Sequence, residues 1–454
     1  MTHGDVPRRG TSLTRRDVAT ALVATGATVA SGHFNYLNAA PLDTEPRRIF
    51  AHYMVCCPMS GSSATVSDFA KEIQQAQAYG IDGFALNCGS WTVEPRYREH
   101  SIRMFEAAAL LGTDFKLFFS ADGTAEEAIA MAGEFYDHPN VLRFQGRPVL
   151  STFGGDDAFA ATVVGAMSKA GKPVAFVPFF FTSRWGKRFG DFTERDFANY
   201  IAQHSYMDGF FYFGAGAQPE EIATASVKIG QAWRKAGKPY MAPVTPYYRG
   251  LGPKNYRLFE TRGFEGMALE WEAAIKSEAQ WVEIVTWNDW GESTYVAEFG
   301  PPNSTDLWDG HWGRPLSHSA YLSASAYYMR WFKTGVQHID RDALYWFYRL
   351  SPKESPGHSS PDDQTLSFPE GMETLENSVF ATAFLTAETK ISIDTGIKHY
   401  EFVRPAGVHH VSGEFALGPQ KFSLERNGHT ILSGEGTFPI TEDNWANFNY
   451  FAGS

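Results

Sequence analysis

The chain has 454 residues, 43% of them hydrophobic, and a formal net charge of −12 from 39 Lys and Arg against 51 Asp and Glu. That length and apolar content bury a sizeable core, in one large domain with a smaller one or in two to three ordinary domains, and exclude a disordered chain. The acidic balance argues against nucleic acid or an anionic membrane as partner, while an aromatic content of 15% suits a site that packs rings against the C–H faces of sugars.

Residues 1–40 read as an export leader and are set apart from the fold. Arg15 and Arg16 precede the uncharged run ATALVATGATVASG, the pattern of a twin-arginine signal. The run is rich in Ala, Thr and Gly and falls short of the roughly 20 apolar residues that cross a bilayer. A secreted or periplasmic protein without a membrane span is expected. Of the three cysteines, vicinal Cys56 and Cys57 have no metal-ligand spacing, so neither a zinc set nor a disulfide framework is built. A bridge from Cys57 to Cys88 is geometrically open if their Cα atoms lie within about 7 Å.

From Arg48 onward, short apolar strands alternate with amphipathic helices. The strand candidates are RIFAHYMV (48–55), GIDGFALNC (80–88), FKLFFSAD (115–122), RPVLSTFG (147–154), PVAFVPFF (173–180), MDGFFYFGA (207–215), KPYMAPVTP (238–246) and WVEIVTWND (281–289). Helical periods such as 68–80, 101–112, 159–171, 219–237 and 317–335 fall between and after them, each closed by a Gly. Eight strand–helix units describe a (β/α)₈ TIM barrel over 41–352. From about Glu354 the helical period stops, and short alternating runs, two of them joined by Asn427-Gly428, describe a C-terminal β-sandwich over 353–454.

Active sites of such barrels lie at the carboxyl ends of the strands. There the sequence places His52, Asn87 and Trp91, then Asp122, Trp185 and Tyr247, and finally the segment Trp287-Asn288-Asp289-Trp290-Gly291-Glu292 followed by Tyr295. No His-x-His pair, P-loop or Gly-x-Ser-x-Gly turn is present, so metal hydrolysis, phosphoryl transfer and serine-hydrolase chemistry lose weight. Carboxylates among aromatics at strand ends fit glycoside hydrolysis, in which one acid protonates the leaving oxygen and a second carboxylate activates water or attacks carbon. Asp122 reads equally as a sugar ligand, a catalytic partner or a helix N-cap, and His52 as a ligand or a satisfied core histidine.

The runs IFAHYMV, IDGFALNCG, FKLFFSAD, YMAPVTPYY and IVTWNDWGES, with His318 heading SHSAY, resemble glycoside hydrolase family 71, the α-1,3-glucanases or mutanases. The resemblance implies a (β/α)₈ barrel with a C-terminal β-sandwich that cleaves α-1,3-glucan with inversion. It puts catalysis on Asp289 and Glu292, with acid and base not distinguished. Substrate contacts are expected from His52, Asn87, Trp91, Asp122, Trp185, Tyr247, Trp287, Asn288 and Tyr295. The chain departs from the family pattern at Cys56-Cys57-Pro58, at Ala121 and at Thr245-Pro246-Tyr247-Tyr248, positions that line the cleft. A monomer that acts on an α-glucan without cofactor or metal is expected. The alternatives are a hydrolase of another α-linked polysaccharide and a non-catalytic carbohydrate-binding barrel.

Overall fold

The computed structural model describes residues 45–182, 186–250, 257–298, 316–354, 369–442 and 448–454. The leader with its Arg pair lies outside them. So does Trp185.

Eight strand–helix units follow one another among the described residues. They are β1 (Arg48–Met54) with α1 (Val66–Tyr79), β2 (Gly83–Cys88) with α2 (Pro95–Leu111), and β3 (Lys116–Ala121) with α3 (Ala125–Glu134). After a short antiparallel β4 (Arg143–Phe144) come β5 (Arg147–Thr152) with α4 (Asp157–Lys169), β6 (Ala175–Phe176) with α5 (Glu194–Gln203), and β7 (Phe210–Phe211) with α6 (Pro219–Lys235). Then β8 (Tyr240–Val244) precedes the small ribbon of β9 (Arg249–Gly250) and β10 (Arg257–Leu258), α7 (Phe264–Lys276), β11 (Trp281–Ile284) and α8 (Ser319–Thr334).

The parallel strands form a curled sheet in the order β6-β5-β3-β2-β1-β11-β8-β7. No ladder joins its edge strands β6 and β7 among the described residues. Across that seam the amides of Asp208 and Phe211 donate to the carbonyls of Phe176 and Pro178 at 2.8 and 3.0 Å. The eight expected strands are therefore all present, and the closed ladder of a full barrel is observed only as this curled sheet. Helices cover its outer face, so strands such as Gly83–Cys88 are buried at every position and read as unbroken apolar runs. At the amino ends Phe50, Phe118, Trp281 and Phe144 pack edge-on with centroids 5.0–6.3 Å apart and fill the interior. The helix stops are local: α1 starts on a Thr65–Asp68 capping box and ends on Gly80 at φ 97°.

Two four-stranded antiparallel sheets follow. One has the order β16 (Gly407–Glu414), β13 (Ser378–Leu385), β12 (Ala343–Arg349), β19 (Tyr450–Gly453). The other has β15 (His399–Arg404), β14 (Thr389–Asp394), β17 (Lys421–Arg426), β18 (His429–Glu435). They pack face to face, with Trp346 stacked on Phe422 at 4.9 Å. Asn427 and Gly428, at φ 54° and 77°, turn the last hairpin as their residue types require. The sandwich takes its first strand from Ala343, ahead of the expected start at 353, because β12 pairs with both β13 and β19.

The sandwich is seated on the curled sheet's helices through a buried ion pair. Arg349 of β12 donates to Glu260 at 2.9 Å with both side chains under 5% exposed, and Arg349 lies over the Tyr450 ring at 4.9 Å. The Tyr450 hydroxyl donates to the same carboxylate. Burial acts to raise the Glu260 pKa, but the Arg349 charge and these hydrogen bonds hold it below the usual range.

The cysteines depart from expectation. Cys56 and Cys57 pair with each other, and Cys88 is a free, buried thiol 3.4 Å from the Ser101 hydroxyl. As the last residue of β2, Cys88 faces α2 rather than Cys57, and burial pushes its thiol up to about 12.

Candidate active site

The segment after β11 is held by its own polar groups. The Thr286 hydroxyl accepts from the Asp289 amide at 2.8 Å, and Asp289 Oδ1 accepts from the Glu292 amide at 2.9 Å. The Thr286 and Thr294 hydroxyls meet at 3.0 Å beneath this turn. Asn288 anchors it to the end of β1: its Oδ1 accepts from the Met54 amide at 2.7 Å, and its Nδ2 donates to the carbonyls of Met54 and Cys57 at 3.0 and 2.9 Å. Trp290 donates to the same Cys57 carbonyl at 3.0 Å. Asp289 and Glu292 are thereby presented together, partly exposed, from a frame that is otherwise buried.

Their electrostatics differ in detail. Burial pushes Glu292 up to about 7, the neighbouring Asp289 charge adds to this, and the Tyr248 hydroxyl, donating to Oε1 at 3.1 Å, with the Arg257 charge, works against it. Asp289 is also raised by burial, opposed by the Glu292 amide and the His52 charge. The Asp289 charge acts on Glu292, and of the two it is Glu292 that is pushed up to about 7.

Three other expected residues gather here. Asp122 is exposed at the end of β3, and its carboxyl is raised by the protein around it while a hydrogen bond from Asn87 and the His52 charge pull it down. It does not cap α3, because Thr124 does so with Glu127. His52 is buried, and its Nδ1 lies 2.6 Å from Glu283 Oε1. Glu283, on β11, is the residue that reading the sequence missed: it stands in an otherwise apolar strand, and that lone charge was the available signal.

The remaining expected sugar contacts lie in the interior. Trp287 is fully buried and donates to Glu72 at 2.9 Å. Tyr295 is fully buried, hydrogen-bonded to the Leu316 carbonyl at 2.6 Å and stacked on His318 at 4.3 Å. Tyr247 is buried and donates to the Phe448 carbonyl at 2.7 Å, and Trp91 packs edge-on against Phe119 at 5.5 Å. Asn288 spends its amide on the β1 anchor. In this structure the polar groups of Trp287, Tyr295, Tyr247 and Asn288 are taken by protein partners, and Trp91 packs among rings.

A cleft of about 1280 Å³ opens beside Glu292. Its wall carries Phe153, Phe181, Phe213, Tyr248 and Arg257, together with Glu370–Thr374 from the segment leading into the sandwich. Phe181 is 54% exposed, a large apolar ring left facing the cleft.

The family model described as Glycosyl hydrolase family 71 matches residues 45–454. The chain belongs to glycosyl hydrolase family 71. It is 28% identical over 442 residues to the glucan endo-1,3-alpha-glucosidase agn1 of Schizosaccharomyces pombe, covering 91% of this chain and 95% of that one. It is 27% identical over 428 residues to a mutanase of Penicillium rubens, covering 90% and 89%. Among solved structures, a family GH99 endo-alpha-mannosidase of Bacteroides thetaiotaomicron is 17% identical with a TM-score of 0.48, covering 63% of this chain and 98% of that one. This family 71 protein is a glycoside hydrolase. No helix among its described residues is long and apolar enough to cross a membrane.

Proposed function

We propose that this family 71 hydrolase is an exported, endo-acting α-1,3-glucanase that works with inversion on a closed (β/α)₈ barrel, with Glu292 as acid and Asp289 as base. The observation that carries the assignment is the Asp289–Glu292 pair beside the aromatic cleft, with Glu292 held near 7. Protonated Glu292 delivers its proton to the glycosidic oxygen as the bond from that oxygen to C1 breaks. Asp289 takes a proton from water as the water oxygen bonds to C1 from the opposite face, and the α-linked sugar leaves as the β anomer. Asp122 and Asn87 hold substrate hydroxyls or the attacking water. Curated relatives named for endo-1,3-α-glucanase activity support the linkage and the endo mode, and Arg15-Arg16 supports export through a twin-arginine route.

Proton NMR of the first products from α-1,3-glucan tests the mechanism, and the expected signal is the β anomer on a mixture of oligosaccharides. An α anomer formed first would replace inversion with a covalent intermediate. Release from another α-glucan with none from the α-1,3 polymer would overturn the linkage.

A further inference from the structure

We propose that the Cys56–Cys57 bridge is a positioning element for this site: it fixes the backbone at Cys57, whose carbonyl holds Asn288 and Trp290 and with them the turn that presents Asp289 and Glu292. The inference rests on the hydrolase reading above only for what those two carboxyls do.

The turn after β11 stands on the end of β1 and on the loop that follows it. The Cys57 carbonyl accepts from Asn288 Nδ2 at 2.9 Å and from Trp290 Nε1 at 3.0 Å, so both of its lone pairs go to the residues on either side of Asp289. Asn288 also meets the Met54 amide and carbonyl at 2.7 and 3.0 Å. Beyond the cysteines, buried Glu72 accepts from the Met59 amide at 3.2 Å and from the Trp287 indole at 2.9 Å. Loop and turn are thus tied before, at and after the bridge. A displaced Cys57 carbonyl would move Asn288 and Trp290 together, and Asp289 lies between them.

That carbonyl belongs to no ladder. Residues 55–65 run between β1 and α1 without strand or helix, and the Cys57 amide donates to the Met54 carbonyl at 3.0 Å. With the peptide planar, the direction of a carbonyl is set by the φ and ψ of its own residue. Pro58 restricts ψ of Cys57, because its ring clashes with the preceding residue outside extended conformations. The bridge restricts φ, because joining the sulfurs of neighbours closes a small ring that contains the peptide bond between them. An acceptor already fixed in both dihedrals costs little further order when Asn288 and Trp290 bind it. A reduced pair leaves φ free. Cys57 is exposed and Cys56 half-buried, so the bridge is open to reagents, while the Cys88 thiol is buried.

Dithiothreitol on the folded full chain makes the test without a substitution. The S–S bond breaks, each sulfur becomes a thiol, and the dithiol gives up its two protons and closes to its own disulfide; alkylation and mass spectrometry count the two thiols gained. The first measurement needs no substrate: hydrogen exchange at the Trp290 indole, its signal assigned with Trp290→Phe. Reduction is expected to speed that exchange about ten-fold or more while the amides of β2 keep their protection. An unchanged indole overturns the proposal, and so does a loss of protection that extends to β2, which would mark a bond that holds the fold rather than the turn. The second measurement is kinetic: on reduction kcat on α-1,3-glucan should fall about 10- to 100-fold with KM within about two-fold, and oxidised glutathione should restore it. Cys88→Ser should respond as the wild type does, and Cys56→Ser with Cys57→Ser should be slow from the start and indifferent to the reagent. Full kcat in the reduced protein overturns the proposal, as do three alkylatable thiols before reduction. Should the double variant not fold, the reduced wild type decides. Oxidised wild-type protein that releases nothing from α-1,3-glucan would sink the hydrolase assignment while the exchange measurement still judges the bridge.

Discussion

At the scale of single residues, the proposed mechanism rests on two carboxyls of similar intrinsic acidity in different surroundings. As the proposed acid Glu292 must be protonated to act, so on that assignment activity should fall as pH rises through about 7. The Tyr248 hydroxyl stabilises the ionised form, and Tyr248→Phe should therefore raise the Glu292 pKa. The alkaline limb of kcat/KM is expected to move upward with catalysis retained, and a limb that stays or moves down would show that Glu292 does not carry the proton. The thiols make a separate test. Denatured, unreduced protein should show one alkylatable cysteine by mass spectrometry, Cys88, and three after reduction; three before reduction would remove the Cys56–Cys57 pair. Asp289 and Glu292 stood out in the sequence because a strand that turns abruptly polar is a poor packing choice. Trp287, Asn288 and Tyr295 stood out for the same reason, and the fold gives each a protein partner: indole, amide and phenol groups bind backbone and carboxylates as readily as they bind sugars.

At the scale of elements, the strand–helix alternation was legible throughout, since each strand is buried on both faces and each helix has its own stop, as at Gly80 and Gly335. The seam between β6 and β7 was not legible, because PVAFVPFF and MDGFFYFGA have strand composition over eight or nine residues but pair in regular ladders over only two each. Nor was β12, whose ALYWFYR falls inside the span expected for the barrel, 41–352, and pairs with strands of the sandwich instead. The ion pair between Glu260 and Arg349 joins residues 89 apart and leaves no local trace. Its removal should be costly. Arg349→Met leaves the Glu260 charge buried, and unfolding in urea should show a loss of about 3–5 kcal/mol, part of it restored by adding Glu260→Gln. Because the folded Glu260 pKa lies below its unfolded value, the pair's contribution is present at neutral pH and lost on acidification. The Arg349→Met loss should therefore shrink in acid, and a loss independent of pH would mean that packing, not charge, accounts for it.

At the scale of the molecule, curled sheet and sandwich share one buried seam. Removing everything from Ala343 onward would take away Arg349 and Tyr450, both partners of Glu260, and Asn449, which His318 contacts at 2.9 Å. It would also uncover Phe264 and Tyr321, whose rings pack on Phe347 with centroids 6.2 and 4.8 Å apart, and it would delete Glu370–Thr374 from the cleft wall. Each large apolar side chain newly exposed costs about 1.5–3 kcal/mol, and the whole stands against a total stability of about 5–15 kcal/mol. The full chain should accordingly melt in one calorimetric transition, and a chain ending at Asp342 should show none, or be recovered only as aggregate. The cleft makes the same demand on activity, since its wall is assembled from both parts. A shortened protein that melted cooperatively near the full-length temperature and still released sugar would show that the sandwich is an attachment, and that the buried pair at the junction stabilises a contact the curled sheet can do without.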